Sequence, residues 1–146
     1  SITKSLNNIL PNMVSYALKE DVDIINLVNP KHNVVAIEAY LESILLNFIS
    51  NAIRYSSPDR KSYVEIKSFK QKKFTLITVK DNGLGIDLEK NGKKLFGMYK
   101  TFHNHKDSKG IGLFMTKNQI MALGGKVDVE SKEDMGTTFK IYLRNE

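Results

Sequence analysis

The chain has 146 residues, 41% of them hydrophobic and 26% charged, with no cysteine and a formal net charge of +6. That length fits one domain with a real core, and the composition excludes a disordered tail, a collagenous repeat and a low-complexity linker. The missing thiol excludes cysteine nucleophiles, zinc ribbons, iron–sulfur clusters and disulfide scaffolds, and mildly favours a reducing compartment.

In chain order, Ile2 to Leu18 carries apolar residues at three- and four-residue steps, which predicts an amphipathic helix with a kink at Pro11. Asp21 to Val28 is rich in β-branched residues and stops at Asn29-Pro30, a strand and then a turn. Asn33 to Ile37 reads as a second short strand. Glu38 to Tyr55 reads as a helix, with Leu41, Ile44, Leu45, Phe48 and Ala52 as its apolar stripe and Ser56-Ser57-Pro58 as its stop. Ser62 to Lys70 and Lys73 to Lys80 alternate about Gln71-Lys72, a hairpin with one wet face. The stretch after Gly85 as far as Gly110 has no sustained period and exceeds an ordinary connection, so it reads as a lid. Helical spacing returns from Ile111 to Leu123 and stops at Gly124-Gly125. Two closing strands follow, Lys126 to Ser131 and Thr137 to Leu143. The expectation is a single α/β domain: six strands in a mixed sheet, with three helices on one face.

Three patterns carry chemistry, and each alone also has a purely structural reading. Asn47, Asn51 and Arg54 form a row beside the apolar stripe of their helix. Asparagine is a mediocre helix former, so a pair of them suggests oxygen ligands for a hard cation, or else ordinary polar residues at the solvent boundary. Asp81-x-Gly83-x-Gly85 follows a strand; its carboxylate either caps a turn or accepts a hydrogen bond from an exocyclic amino group. Lys109-Gly110-Ile111-Gly112-Leu113 opens a helix, either as an anion seat of unpaired N–H groups or as a lid hinge. It is neither a dinucleotide fingerprint nor a Walker P-loop.

Taken together the motifs resemble a known set. Leu45-Leu46-Asn47-Phe48-Ile49-Ser50-Asn51-Ala52-Ile53-Arg54-Tyr55-Ser56 is similar to the N box, and Asp81-Asn82-Gly83-Leu84-Gly85-Ile86 to the G1 box. Leu95-Phe96 through Phe102 resembles the F box, Lys109-Gly110-Ile111-Gly112-Leu113-Phe114 the G2 box, and Gly136-Thr137-Thr138-Phe139 the last glycine motif. Their order and spacing resemble the catalytic, ATP-binding domain of bacterial sensor histidine kinases, relatives of gyrase, the mismatch-repair ATPases and the heat-shock chaperone. The resemblance covers about residues 1 to 144.

That resemblance implies a two-layer α/β sandwich of the Bergerat type, with ATP between the helices and a long mobile lid over about residues 88–110. It implies Asn51 on Mg2+, Asn47 orienting water and phosphate, Arg54 on phosphate oxygens and Tyr55 against the base. Asp81 would accept the adenine amino proton, with Gly83 and Gly85 letting the chain pass near the purine. Lys109, Gly110, Gly112 and Leu113 would meet the triphosphate, and Thr138 would support the base. In the hydrolytic members the residue four before the metal-binding asparagine is a glutamate; here it is Asn47, which cannot act as a base, and the implied activity is a kinase. The same position disfavours the anti-sigma serine kinases of this fold. Arg54 stands where lysine is common, and Ser108 where many members have a further glycine.

No histidine here sits as a phosphoacceptor does: His32, His103 and His105 lack the following acidic residue and proline. The implied partners are therefore ATP, the phosphoacceptor helical hairpin of a larger sensor kinase, and a response regulator downstream. The piece would be a cytoplasmic monomer from a parent that is either soluble or membrane-associated, making no membrane contact of its own. Only 5 of the 22 basic but 6 of the 16 acidic side chains fall in residues 1–60, so the positive excess lies beyond them. It suits triphosphate, or is a solvated lysine-rich surface; nucleic acid is not expected, since the aromatics form no regular stacking platform. His103, His105 and Asp107 read as incidental lid residues rather than a metal cluster.

Overall fold

The computed structural model describes residues 1–85 and 111–145, with side chains of its last helix from 113 onward. Helix α1 (Ile2–Lys19) is capped by Ser1, whose Oγ accepts the Lys4 N–H at 3.2 Å. Pro11 lies inside α1 without ending it, because it and Asn7, whose carbonyl loses its donor, are both exposed to water. The row Ile2, Leu6, Ile9, Met13 and Ala17 turns inward and is buried.

Strand β1 (Val22–Leu27) runs parallel to β2 (Ser62–Lys70), and parallel neighbours need a crossover; helix α2 (Glu38–Arg54) supplies it. Strand β3 (Phe74–Asp81) pairs antiparallel with β2 and with β5 (Gly136–Arg144), which pairs with the edge strand β4 (Lys126–Lys132). The sheet order is β1-β2-β3-β5-β4, a mixed open sheet of five strands. On β2, β3 and β5 every second residue is buried, Val64, Ile66, Ile77, Val79, Phe139 and Ile141 among them, so one face meets the helices and the other meets water. Helix α3 (Ile111–Ala122) closes the layer against α2 and β4. Its stop is a Schellman turn, with Gly124 N–H donating to Met121 O and Gly125 N–H to Ile120 O, both at 3.0 Å.

One expectation changes. Asn33 to Ile37 forms no strand: Val34 and Ala36 turn half inward and Val35 and Ile37 outward, as a strand would, but the segment meets the sheet through a single backbone bond, Val35 N–H to Arg144 O at 2.7 Å. The sheet thus has five strands, not six. At Asp81-Asn82-Gly83 the Asp81 carboxylate caps a turn, accepting the Gly83 N–H at 2.9 Å, as β3 ends at Asp81 and the chain leaves the sheet. Asn82 replaces the lost ladder with its side chain, accepting the Tyr63 N–H at 3.0 Å and donating to Lys61 O at 2.8 Å. The lid, the F-box residues, His103, His105 and Asp107 lie outside the described residues.

Candidate functional site

The crossover fixes which ends meet. Val64 pairs with Asp81 and Asp81 with Thr137, so the start of β2, the end of β3 and the start of β5 share one end of the sheet. The C-terminal end of α2 reaches the same place, where Tyr55 O accepts the Leu84 N–H at 2.9 Å. Below it, Phe48 and Phe139 pack with ring centroids 4.7 Å apart and join α2 to β5.

Asp81 lies at that junction with 7% of its surface exposed. Its Oδ1 accepts the Gly83 N–H at 2.9 Å, and among the described residues it has no ion-pair partner. Burial pushes its pKa up to about 6, against the opposing pull of the Gly83 and Thr137 N–H groups. A buried carboxylate without a cation is costly to keep, and such groups cluster at functional sites. Gly83 has no room for a side chain: a Cβ there would lie 2.3 Å from Tyr55 O. Gly85 has φ +71, and a Cβ on it would lie 1.8 Å from Lys132 O. Both glycines of Asp81-x-Gly83-x-Gly85 are therefore held by close backbone approach.

On α2, Asn47, Asn51 and Arg54 are all half-buried and share one side of the helix. The Asn47 amide donates from Nδ2 to Thr116 Oγ1 at 2.7 Å, which ties α2 to α3 and fixes the carboxamide's orientation. Thr116 is fully buried and was not singled out in the sequence. Its signal was there: it stands four before Ile120 and three after Leu113, a hydroxyl on the apolar row of α3. A second contact had no signal. Arg60 Nη2 pairs with Asp134 Oδ1 at 2.7 Å and Asp134 N–H donates to Leu84 O at 2.6 Å, which pins the β4–β5 turn to the loop after Asp81.

Two further site candidates, Thr138 and Leu113, have side chains that face away from the junction or into the core. Thr138 pairs with Lys80 on the water-facing side of the sheet; Thr137, one residue earlier, is directly across from Asp81 on the helix face and is buried. Alternation along β5 makes only one of the two threonines available to that face. The Leu113 side chain is buried in the core, which leaves only its backbone for a ligand. Gly112 lies in the first turn of α3, where N–H groups lack intrahelical partners. Lys109 and Gly110 lie outside the described residues. No cluster of three histidine, aspartate or glutamate side chains that could hold a metal occurs among the described residues.

A profile described as "Histidine kinase-, DNA gyrase B-, and HSP90-like ATPase" matches residues 36–146. The chain belongs to that family, as a catalytic ATP-binding domain of the sensor histidine kinase kind. Among its relatives, sensor protein RprX of Bacteroides fragilis is 31% identical over 75% of this chain and 22% of its own. Sensor protein BceS of Bacillus subtilis is 35% identical over 73% of this chain and 32% of its own. The chain thus spans a third or less of the length of these relatives. In fold, it is similar to the mycobacterial sensor histidine kinase MprB, with a TM-score of 0.82 over 97% of this chain and 94% of that one at 20% identity. Full-length ShkA in complex with AMPPNP gives 0.82 over 98% of this chain and 30% of that one at 23% identity. The likeness of fold extends over α1 and β1, which precede the profile match. No described helix is long and apolar enough to cross a membrane.

Proposed function

We propose that this domain binds ATP with Mg2+ and passes the γ-phosphoryl to a histidine on a separate helical hairpin of a sensor kinase, from which a response regulator is served. Residues 1–146 act in this reading as one catalytic unit. The observation that carries it is the Asn47–Thr116 bond: a carboxamide held by a buried hydroxyl occupies the place where a hydrolytic relative needs a general base. Phosphoryl transfer needs chiefly positioning and charge neutralisation, so a site without a base still serves a nucleophile brought to it.

In this reading each residue has a part. Asp81, ionised at neutral pH and buried, accepts a hydrogen bond from the exocyclic amino group of adenine. Gly83 and Gly85 keep that corner free of side chains. Thr137, not Thr138, stands beside Asp81 for the base, and Tyr55 lies against it. Asn51 offers a neutral oxygen ligand, Asn47 orients water and phosphate, and Arg54 offsets phosphate charge. Mg2+, held by Asn51, would supply neutralisation of the phosphate charge. Lys109 and the backbone N–H groups of Gly110, Gly112 and Leu113 complete the phosphate cradle at the start of α3.

Transfer in trans tests this. With γ-labelled ATP, Mg2+ and a supplied histidine-bearing helical hairpin, label is expected on the hairpin in an acid-labile form. A chain that binds ATP yet labels no hairpin would instead be a nucleotide-binding or docking module.

A further inference from the structure

Ser131, Thr137, Asp81 and Val64 are successive cross-strand partners, one row over β4, β5, β3 and β2 on the helix face. Two short contacts join the first two. Ser131 Oγ lies 2.9 Å from Gly136 O and 2.7 Å from Thr137 Oγ1. A carbonyl has no proton, so the single hydroxyl proton of Ser131 must go to Gly136 O; otherwise two sets of lone pairs would face each other at that distance. The proton in the second contact then belongs to Thr137, which donates to Ser131. With its proton committed outward, Thr137 Oγ1 has only lone pairs left to offer its other neighbour in the row, Asp81. Asp81 Oδ1 accepts from Gly83, and an ionised carboxylate has no proton to give.

We propose that Ser131 is a specificity-determining residue for the nucleotide base: by taking the Thr137 proton it makes this end of the site acceptor-only, which admits a 6-amino purine and rejects a 6-oxo purine. The inference rests on the adenine site proposed above and deepens it. Ser131 acts through Thr137, as a positioning residue on the edge strand. A purine bearing an amino group at position 6 gives its N–H to these oxygens, whereas one bearing an oxygen there sets lone pair against lone pair. An unmatched polar group in a site built for its opposite is strongly discriminated against.

The test compares ATP with inosine triphosphate, which differs at this edge, by calorimetric titration of the wild-type chain, Ser131→Ala and Ser131→Thr. The wild type should prefer ATP. In Ser131→Ala the Thr137 hydroxyl is free to turn and donate, and the ATP-to-inosine-triphosphate affinity ratio should fall about tenfold, the worth of one hydrogen bond. Ser131→Thr keeps the hydroxyl and should restore the ratio, on a strand position where a β-branched residue is tolerated. A merely structural role would weaken both ligands alike and leave the ratio unchanged. If Ser131→Ala does not fold, Ser131→Cys, near-isosteric and a weak hydrogen bonder, takes its place with the same expectation. An unaltered ratio, or a wild type indifferent between the two nucleotides, overturns the assignment of Ser131 alone. A folded wild type that binds neither overturns the proposed function and this inference with it.

Discussion

Asp81 is retained at a cost to the fold. Its pKa in the folded chain, about 6, exceeds the ordinary value of 3.8, so between those values the folded state holds more protons than the unfolded one. Stability from this group is therefore greatest below about pH 4 and declines as pH rises through 6, by about 3 kcal/mol in all. Urea denaturation of the nucleotide-free chain at pH 5 and pH 7.5 should show this decline. In Asp81→Asn it should be largely gone, and that variant should be the more stable of the two at pH 7.5 while losing adenine recognition. A wild type that gains stability from this step upward in pH would contradict the burial of an unpaired carboxylate. Gly83→Ala acts in the opposite sense: its Cβ would meet Tyr55 O at 2.3 Å and Asp81 Oδ1 at 3.0 Å, and it should cost about 2 kcal/mol in the same assay. Both residues could be picked from the sequence, since an acid followed by two spaced glycines is unusual outside a turn. Which threonine accompanies them could not, because that depends on where β5 begins its alternation, and a shift of one residue exchanges the faces.

At the scale of elements, the helices were the legible part. The apolar stripe of α2 predicted a helix over 38–55, one residue beyond its observed end at Arg54, and Gly124-Gly125 marked the end of α3 through the backbone bonds that form there. Asn33 to Ile37 misled because an apolar, β-branched run favours an extended segment whether or not a partner strand completes the ladder. The bond between α2 and α3 was hidden for a related reason: Asn47 and Thr116 lie 69 residues apart, and periodicity within one element says nothing of its neighbour. Thr116→Val removes the acceptor while keeping the shape, and should cost about 1 kcal/mol in thermal or chemical unfolding. If Asn47 is positioned by this bond, the variant should also slow transfer to the hairpin more than it weakens ATP binding; equal effects on both would leave Thr116 a packing residue only. Phe48→Ala, which empties a fully buried ring site against Phe139, should cost about 3–5 kcal/mol and serves as the reference for a purely structural lesion.

For the whole molecule, the sheet order explains why one end carries the chemistry. The parallel crossover through α2 delivers the asparagine row to the end of β3, and β5 returns between β3 and β4 to place Thr137 and Ser131 in line with Asp81. In the proposed reading this end takes the amino-bearing base at Asp81 and the anionic groups toward α2 and α3. Titration of ATP with Mg2+ into the folded chain, followed by calorimetry, tests this most directly. The account predicts saturable binding in the wild type, loss of adenine recognition in Asp81→Asn, and weakened dependence on Mg2+ in Asn51→Ala. Absence of heat in well-folded wild type, or affinity unchanged in Asp81→Asn, would contradict it.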